Sequence, residues 1–251
     1  MKKQVILFLS VFMLMLVFVS AFADSDDFSA QIGGAWKLDA VYESGVLLDP
    51  ETSQSLYAER VNVYIAGEDG NASVFEPIDG GPEYFERKGT WSLDGNNFRL
   101  EADGFDMDLE YDPEENELHR YLTDDDTDAV WKSLNFVYKK YPVGDWKLVQ
   151  VISREPGADP VVLDPENAGA LYSESANVYS LKYDGTFTVH LPEDAEEKGT
   201  WKLENGELLL INEDGLEMMY KYDPKTDRIT RVWTDDDPQA TYHDLEFVYQ
   251  K

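Results

Sequence analysis

The chain of 251 residues carries 51 acidic against 21 basic side chains, a formal charge of −30, and no cysteine. The missing thiols exclude disulfide staples, thiolate metal centres, cysteine nucleophiles and cysteine-held iron–sulfur clusters. The negative field repels nucleic acid and anionic lipid surfaces at long range, so neither is expected as a partner.

Residues 1–23 read as an export signal. Lys2 and Lys3 open it, residues 5–19 are almost wholly apolar, and Ala21-Phe22-Ala23 supplies a small-x-small cleavage pattern. The apolar run is shorter than the roughly 20 residues a membrane-spanning helix needs. Cleavage near Ala23-Asp24 is therefore expected, giving a secreted or extracytoplasmic protein without a membrane span. An acidic leader follows over residues 24–32. Loss of the two signal lysines takes the charge from −30 to −32. The acidity is shared: residues 33–141 hold 25 acids and 9 bases, and residues 143–251 hold 23 and 10. Solubility in a salty or calcium-rich exterior is the expected reason for such a charge, with a dedicated cationic partner as the other reading.

From residue 33 onward the chain states one pattern twice. Gly34-Ala35-Trp36-Lys37-Leu38 returns as Gly144-Asp145-Trp146-Lys147-Leu148, and Lys88-Gly89-Thr90-Trp91 as Lys198-Gly199-Thr200-Trp201. Tyr111-Asp112-Pro113 returns as Tyr222-Asp223-Pro224, and Thr123-Asp124-Asp125-Asp126 as Thr234-Asp235-Asp236-Asp237. The offset is 110, 111 or 115 according to the segment. A period this long is a whole domain, well beyond the roughly 20–50 residues of a solenoid unit. Two domains are predicted, residues 33–141 and 143–251, each able to bury its own core. The short link at Tyr141-Pro142-Val143 makes them touch or nearly touch.

Within each repeat the elements are short strands. Residues 186–191 alternate polar and apolar with the period of a half-buried strand. Turn signals separate the strands: Asp69-Gly70 and Asp184-Gly185, Asp94-Gly95 and Asn205-Gly206, Asp103-Gly104 and Asp214-Gly215, Asp112-Pro113 and Asp223-Pro224. About eight strands per repeat, spaced by roughly 8–12 residues, fit an antiparallel barrel or sandwich. One helical signal interrupts them. Asp49-Pro50-Glu51 and Asp164-Pro165-Glu166 each place a capping aspartate, a proline at the first helical position and an acid in the first turn. A short helix is predicted after the first strand, running through Leu56-Tyr57 and Leu171-Tyr172.

Gly-x-Trp at the start of the first strand, a lid-like helix after it, a second Gly-x-Trp mid-domain and an ending in Tyr-x-Lys resemble the bacterial lipocalin-like domains of the calycin superfamily. The resemblance covers both repeats. It implies an all-β fold of two tandem up-and-down barrels of about eight strands. It also implies that the tryptophans serve barrel closure, with Trp36 beneath Lys139 or Lys140 and Trp146 beneath Lys251, and Trp91 and Trp201 as their mid-domain counterparts. Lipocalin-like barrels hold a small apolar or amphipathic ligand, which would be met by Leu56, Tyr57, Leu171 and Tyr172 from the lid and by Trp233. The departures are a shorter chain, no Thr-Asp-Tyr turn motif, and lysine where arginine is usual.

Read for themselves, the four repeated tryptophans fit core filling as well as they fit a cavity wall, since an eight-stranded barrel is just wide enough to be packed solid. Asp124, Asp126 and Asp128 alternate along an extended segment, with Asp235 and Asp237 in the second copy, and could hold calcium weakly. No complete calcium-loop pattern accompanies them, and a solvated turn between the last two strands is the other reading. His119, His190 and His243 have no counterparts between repeats and no paired zinc spacing. No nucleophile elbow or phosphate loop is present, so an enzyme is not expected. Three readings of different class follow: a secreted non-enzymatic binder of a small apolar or amphipathic ligand, an acidic interaction module whose barrels are filled, and, last in order, a hydrolase using carboxylates.

Overall fold

The computed structural model describes residues 32–67, 69–78, 83–123, 130–235 and 240–251. The first sheet is built from β1 (Gly34–Glu43), β2 (Val46–Leu47), β3 (Val63–Ala66), β4 (Asn71–Pro77), β5 (Tyr84–Asp94), β6 (Asn97–Ala102), β7 (Phe105–Asp112), β8 (Glu117–Thr123) and β9 (Ser133–Tyr141). The second repeats it with β10 (Gly144–Ser153), β11 (Val161–Val162), β12 (Val178–Leu181), β13 (Thr186–His190), β14 (Glu196–Glu204), β15 (Glu207–Asn212), β16 (Glu217–Asp223), β17 (Arg228–Thr234) and β18 (Asp244–Gln250). Strand neighbours follow chain order, and β1 pairs with β9 as β10 pairs with β18, so each sheet closes into an antiparallel barrel of eight strands. The two-residue β2 and β11 are spurs folded back on the ends of β1 and β10.

Local sequence explains these elements. The turn glycines 70, 95, 104, 185, 206 and 215 all adopt positive φ, the conformation for which glycine carries no steric penalty. Alternation does the rest: Phe98 and Leu100 on β6, and Met107, Leu109 and Tyr111 on β7, face inward, while Arg99, Asp106, Asp108 and Glu110 face solvent. The acidity therefore lies on the outer faces. Closure needs one bend, supplied by a bulge in the same place in both copies, between Leu38 and Ala40 and between Leu148 and Gln150. It also needs close strand approach. A Cβ at Gly89 would lie 1.8 Å from the Glu101 carbonyl oxygen, and one at Gly199 2.1 Å from that of Ile211, which is why Lys-Gly-Thr-Trp recurs.

The helical signal is realised only in part. Asp49 accepts a bond from the Glu51 amide at 3.0 Å, and Asp164 accepts one from Glu166 at 2.9 Å, as capping residues do. The chain then runs through turns into 3-10 helices at Ala58–Val61 and Gly169–Ala176, not into an α-helix. Leu56 and Tyr57 precede the first of these, and Leu171 and Tyr172 lie inside the second. Serines 53 and 55 and Gly169 are poor helix formers. Both segments are also pinned to the barrel by their tyrosines.

The barrels are docked on one another. Phe75 stacks on Tyr183 with ring centroids 3.8 Å apart, Tyr84 meets Tyr183 edge-on, and Tyr141 covers Trp201 at 5.3 Å. The Asn116 amide donates to the carbonyls of Pro224 and Lys225, each at 3.1 Å. Pro142 and Val143, in the link, are buried.

Candidate functional site

Trp36 and Trp146 sit at the closures. Each is 1 % exposed, and each indole Nε1 donates to a carbonyl four residues back, of Ile32 at 2.9 Å and of Pro142 at 2.8 Å. Lys140, not Lys139, covers Trp36; Lys139 instead pairs with Asp39 at 3.0 Å and Glu117 at 3.5 Å. Lys251 covers Trp146 and bonds Asp227. Trp91 and Trp201 act as ties within the wall. Their indoles donate to the Gly67 and Lys182 carbonyls, at 2.6 and 3.0 Å, and so fasten the β3–β4 and β12–β13 turns to β5 and β14.

The segment expected as a lid packs onto a finished core. The Tyr57 hydroxyl accepts from the Val41 amide at 3.0 Å and donates to the Leu48 carbonyl at 2.9 Å. Tyr172 does the same with Val151 at 3.0 Å and Leu163 at 2.8 Å. Leu56 and Leu171 are partly buried against the cores of their own barrels. Trp233, on β17 in register with Leu245, is 41 % exposed, like its counterpart Leu122 at 42 %.

Just beyond each of these tyrosines a carboxylate locks the segment down. Glu59 accepts from the hydroxyls of Tyr64 at 3.2 Å and Tyr138 at 2.8 Å, and from Arg120 at 3.1 Å. Glu174 accepts from Tyr179 at 3.1 Å and Tyr249 at 2.9 Å, with Arg231 at 4.0 Å. Burial and the nearby carboxylate hold the Tyr64, Tyr138 and Tyr249 phenols well above their usual range. Sequence reasoning missed these eight residues. The signal was available, since Glu59, Tyr64, Arg120 and Tyr138 all recur at the offsets of 115 or 111.

Inside, the barrels are nearly solid. About 10 Å³ remains among Trp36, Tyr64, Phe98, Leu100, Leu118 and Tyr138, and about 10 Å³ among Trp146, Tyr179, Leu208, Leu210, Tyr220 and Tyr249. That is about the room of one water, far below the roughly 300 Å³ of a small-molecule pocket. The large spaces are outside. A cleft of about 830 Å³ lies between the barrels, bounded by β1, β9 and the first 3-10 helix on one side and by the β14–β15 turn, Tyr222 and Pro224 on the other. A concave face of about 610 Å³ on the second barrel presents Arg154, Lys221 and Arg228 beside Glu207, Asp223 and Glu246.

Asp124, Asp126, Asp128 and Asp237 lie outside the described residues. Asp235 is described; its amide donates to the His243 carbonyl at 2.7 Å. Among the described residues no three histidine, aspartate or glutamate side chains gather closely enough to hold a metal ion. His119 sits between Asn135 and Glu117, and His190 beside Glu196 at 3.3 Å. No family model matches the chain, and no curated protein matches it.

Proposed function

We propose that this chain is an exported, non-enzymatic binding module of the lipocalin-like kind, in which two filled barrels form a rigid frame and the cleft between them receives a small amphipathic ligand. The contrast in space carries the reading: about 830 Å³ between the barrels against about 10 Å³ inside each. The cleft mixes apolar and polar walls, with Val61, Pro77, Tyr84, Tyr141 and Leu203 beside Lys37 and Asn205. Ligand pockets have this composition. The Gly-x-Trp closures under lysine and the tandem eight-stranded barrels support the lipocalin-like kinship, and residues 1–23 support export.

Titration of a panel of fatty acids and ring-bearing amphiphiles, followed by tryptophan fluorescence and calorimetry, tests the reading. Val61 is 51 % exposed in the cleft wall, so Val61→Trp should fill the cleft and remove binding while the melting temperature stays unchanged. Leu56→Asp and Leu171→Asp should lower stability and leave binding intact in the folded fraction. The opposite pattern would put the ligand inside the barrels. Silence across the panel would favour the second reading, an interaction module, which rests on the outward acids of β7 and a surface suited to a cationic partner.

A further inference from the structure

The inter-barrel cleft has the opposite charge to the molecule around it. Among the described residues lining it, Lys37, Arg60, Lys139 and Lys140 are basic and only Asp39 is acidic, in a chain of net charge −30. Two of the four cations are already engaged. Lys139 is paired with Asp39 and Glu117, and Lys140 turns its ammonium to the Ile32 and Gly33 carbonyls beneath Trp36. Lys37 and Arg60 have no carboxylate partner among the described residues. The Lys37 ammonium lies 3.4 Å from the Tyr141 hydroxyl and 4.5 Å from its ring centroid. Arg60 rests its guanidinium 5.4 Å from the Tyr57 ring.

Resting on the cleft reading above, we infer that Lys37 and Arg60, with the Tyr141 hydroxyl, form a site for the oxyanion of a small organic monoanion, whose apolar body lies against Tyr84, Val61, Pro77 and Leu203. A partly buried cation without a counter-charge is costly, and Lys37 is one, with the exposed Arg60 close enough to repel it and no carboxylate on either among the described residues. Burial holds the Lys37 ammonium below its usual range, and the charge of Arg60 lowers it further. A bound anion would relieve both effects. Arginine offers a planar fork to two oxygens, and the Tyr141 hydroxyl, which accepts from Lys37, keeps its proton to donate. The size of the charge selects the ligand. A polyanion or an anionic membrane would meet the acidic exterior before it reached two cations, whereas a single negative charge on a compact body is admitted. The second repeat lacks the site: Lys147 stands exposed where Lys37 is partly buried, and Ser175 replaces Arg60.

The test uses the full mature chain and a matched pair of probes, 1-naphthoate and its neutral isostere 1-naphthamide, titrated by calorimetry and tryptophan fluorescence. Naphthoate should bind at least about tenfold more tightly than the amide, and added sodium chloride should reduce the difference. Lys37→Gln with Arg60→Gln should bring naphthoate down to the affinity of the amide. Lys147→Gln, the exposed counterpart, should change nothing. Circular dichroism of the double variant checks folding, which removal of two cations with no carboxylate partner among the described residues should leave intact. Equal binding of the two probes, lost in Val61→Trp, would overturn the anion site and leave the cleft reading standing. Naphthoate binding that survives Lys37→Gln with Arg60→Gln would overturn it as well. Failure of both probes to bind the folded protein would overturn site and cleft together.

Discussion

The ammonium of Lys140 lies 4.3 Å from the ring centroid of Trp36, in a closure only 3 % exposed at the lysine. Lys251 repeats the arrangement at 4.8 Å over Trp146. A Cβ at Gly34 would fall 3.3 Å from the first ammonium and 3.6 Å from the second, so the closed ends of the two barrels meet there. Asp227 is the acid beside them. Its carboxylate bonds Lys251 and partly offsets the charge of Lys140.

The meeting of these two lysines predicts an alkaline gain in stability. Burial pushes Lys140 down to about 7, with repulsion from Lys251 adding to it and Asp227 opposing it. Lys251 and Lys37 are lowered too, each chiefly by burial. A lysine with a folded pKa below its unfolded value of about 10.4 binds fewer protons folded than unfolded across that window. Its cost is full below the folded pKa and is relieved as pH rises towards the unfolded one. The buried tyrosines act in the other direction above about pH 10, where the unfolded chain ionises first. The urea midpoint should therefore be higher at about pH 9 than at about pH 7 and fall again above about pH 10. Lys140→Met should flatten the rise. A wild-type midpoint that does not climb between the two pH values would defeat the prediction.

The carboxylate lock is expected to be a coupled unit. A hydrogen bond to a charged group contributes about 1.5–3 kcal/mol, and Glu59 accepts two from phenols. Its side chain is 32 % exposed, which favours the lower end of that range. In a double-mutant cycle, Glu59→Ala and Tyr138→Phe should show a coupling of about 1 kcal/mol by denaturant unfolding. Glu174→Ala with Tyr249→Phe should behave alike. Additive effects in both copies would show that the carboxylates do not hold the segments.

Each barrel encloses most of its own core, with only Ala35, Val63 and Phe75 among the buried residues of the first joining the core of the second, so damage should stay largely local. Gly89→Ala drives a methyl into the backbone of β6 and is expected to destabilise the first barrel by more than about 3 kcal/mol. Gly199→Ala should do the same to the second. Residues 33–141 and 143–251, expressed separately, should each melt cooperatively, with lower midpoints than in the intact chain because Phe75, Tyr84 and Tyr183 lose their stacking across the junction. If neither half alone shows a transition, the barrels are not independent units.

Calcium should act chiefly as a salt. A chain of charge −30 is stabilised by any screening of its self-repulsion. Millimolar calcium and sodium chloride matched in ionic strength should raise the melting temperature equally. Asp124→Asn with Asp235→Asn should leave the calcium response unaltered. A calcium-specific gain that this double variant removes would instead assign the acidic turns a bound ion.

Much of the frame was legible in the residues because it is local. Positive φ at Gly70, Gly185 and Gly206 and alternation along β6 and β7 are properties of neighbouring residues, and the duplication let each copy check the other. The capping role of Asp49 and Asp164 was legible for the same reason. Whether the chain continued as an α-helix was not, because Tyr57 and Tyr172 draw their segments onto Val41 and Val151, 16 and 21 residues away. The filled interior was likewise out of reach: it depends on summed side-chain volumes from eight strands, which no local pattern reports. The choice of Lys140 over Lys139 turned on the register of β1 against β9. The cleft is the furthest from sequence. Lys37 and Tyr141 are 104 positions apart and come together only when β1 closes on β9; the facing wall arrives only where the second barrel docks, and Ser175 in place of Arg60 kept the duplication from marking the site.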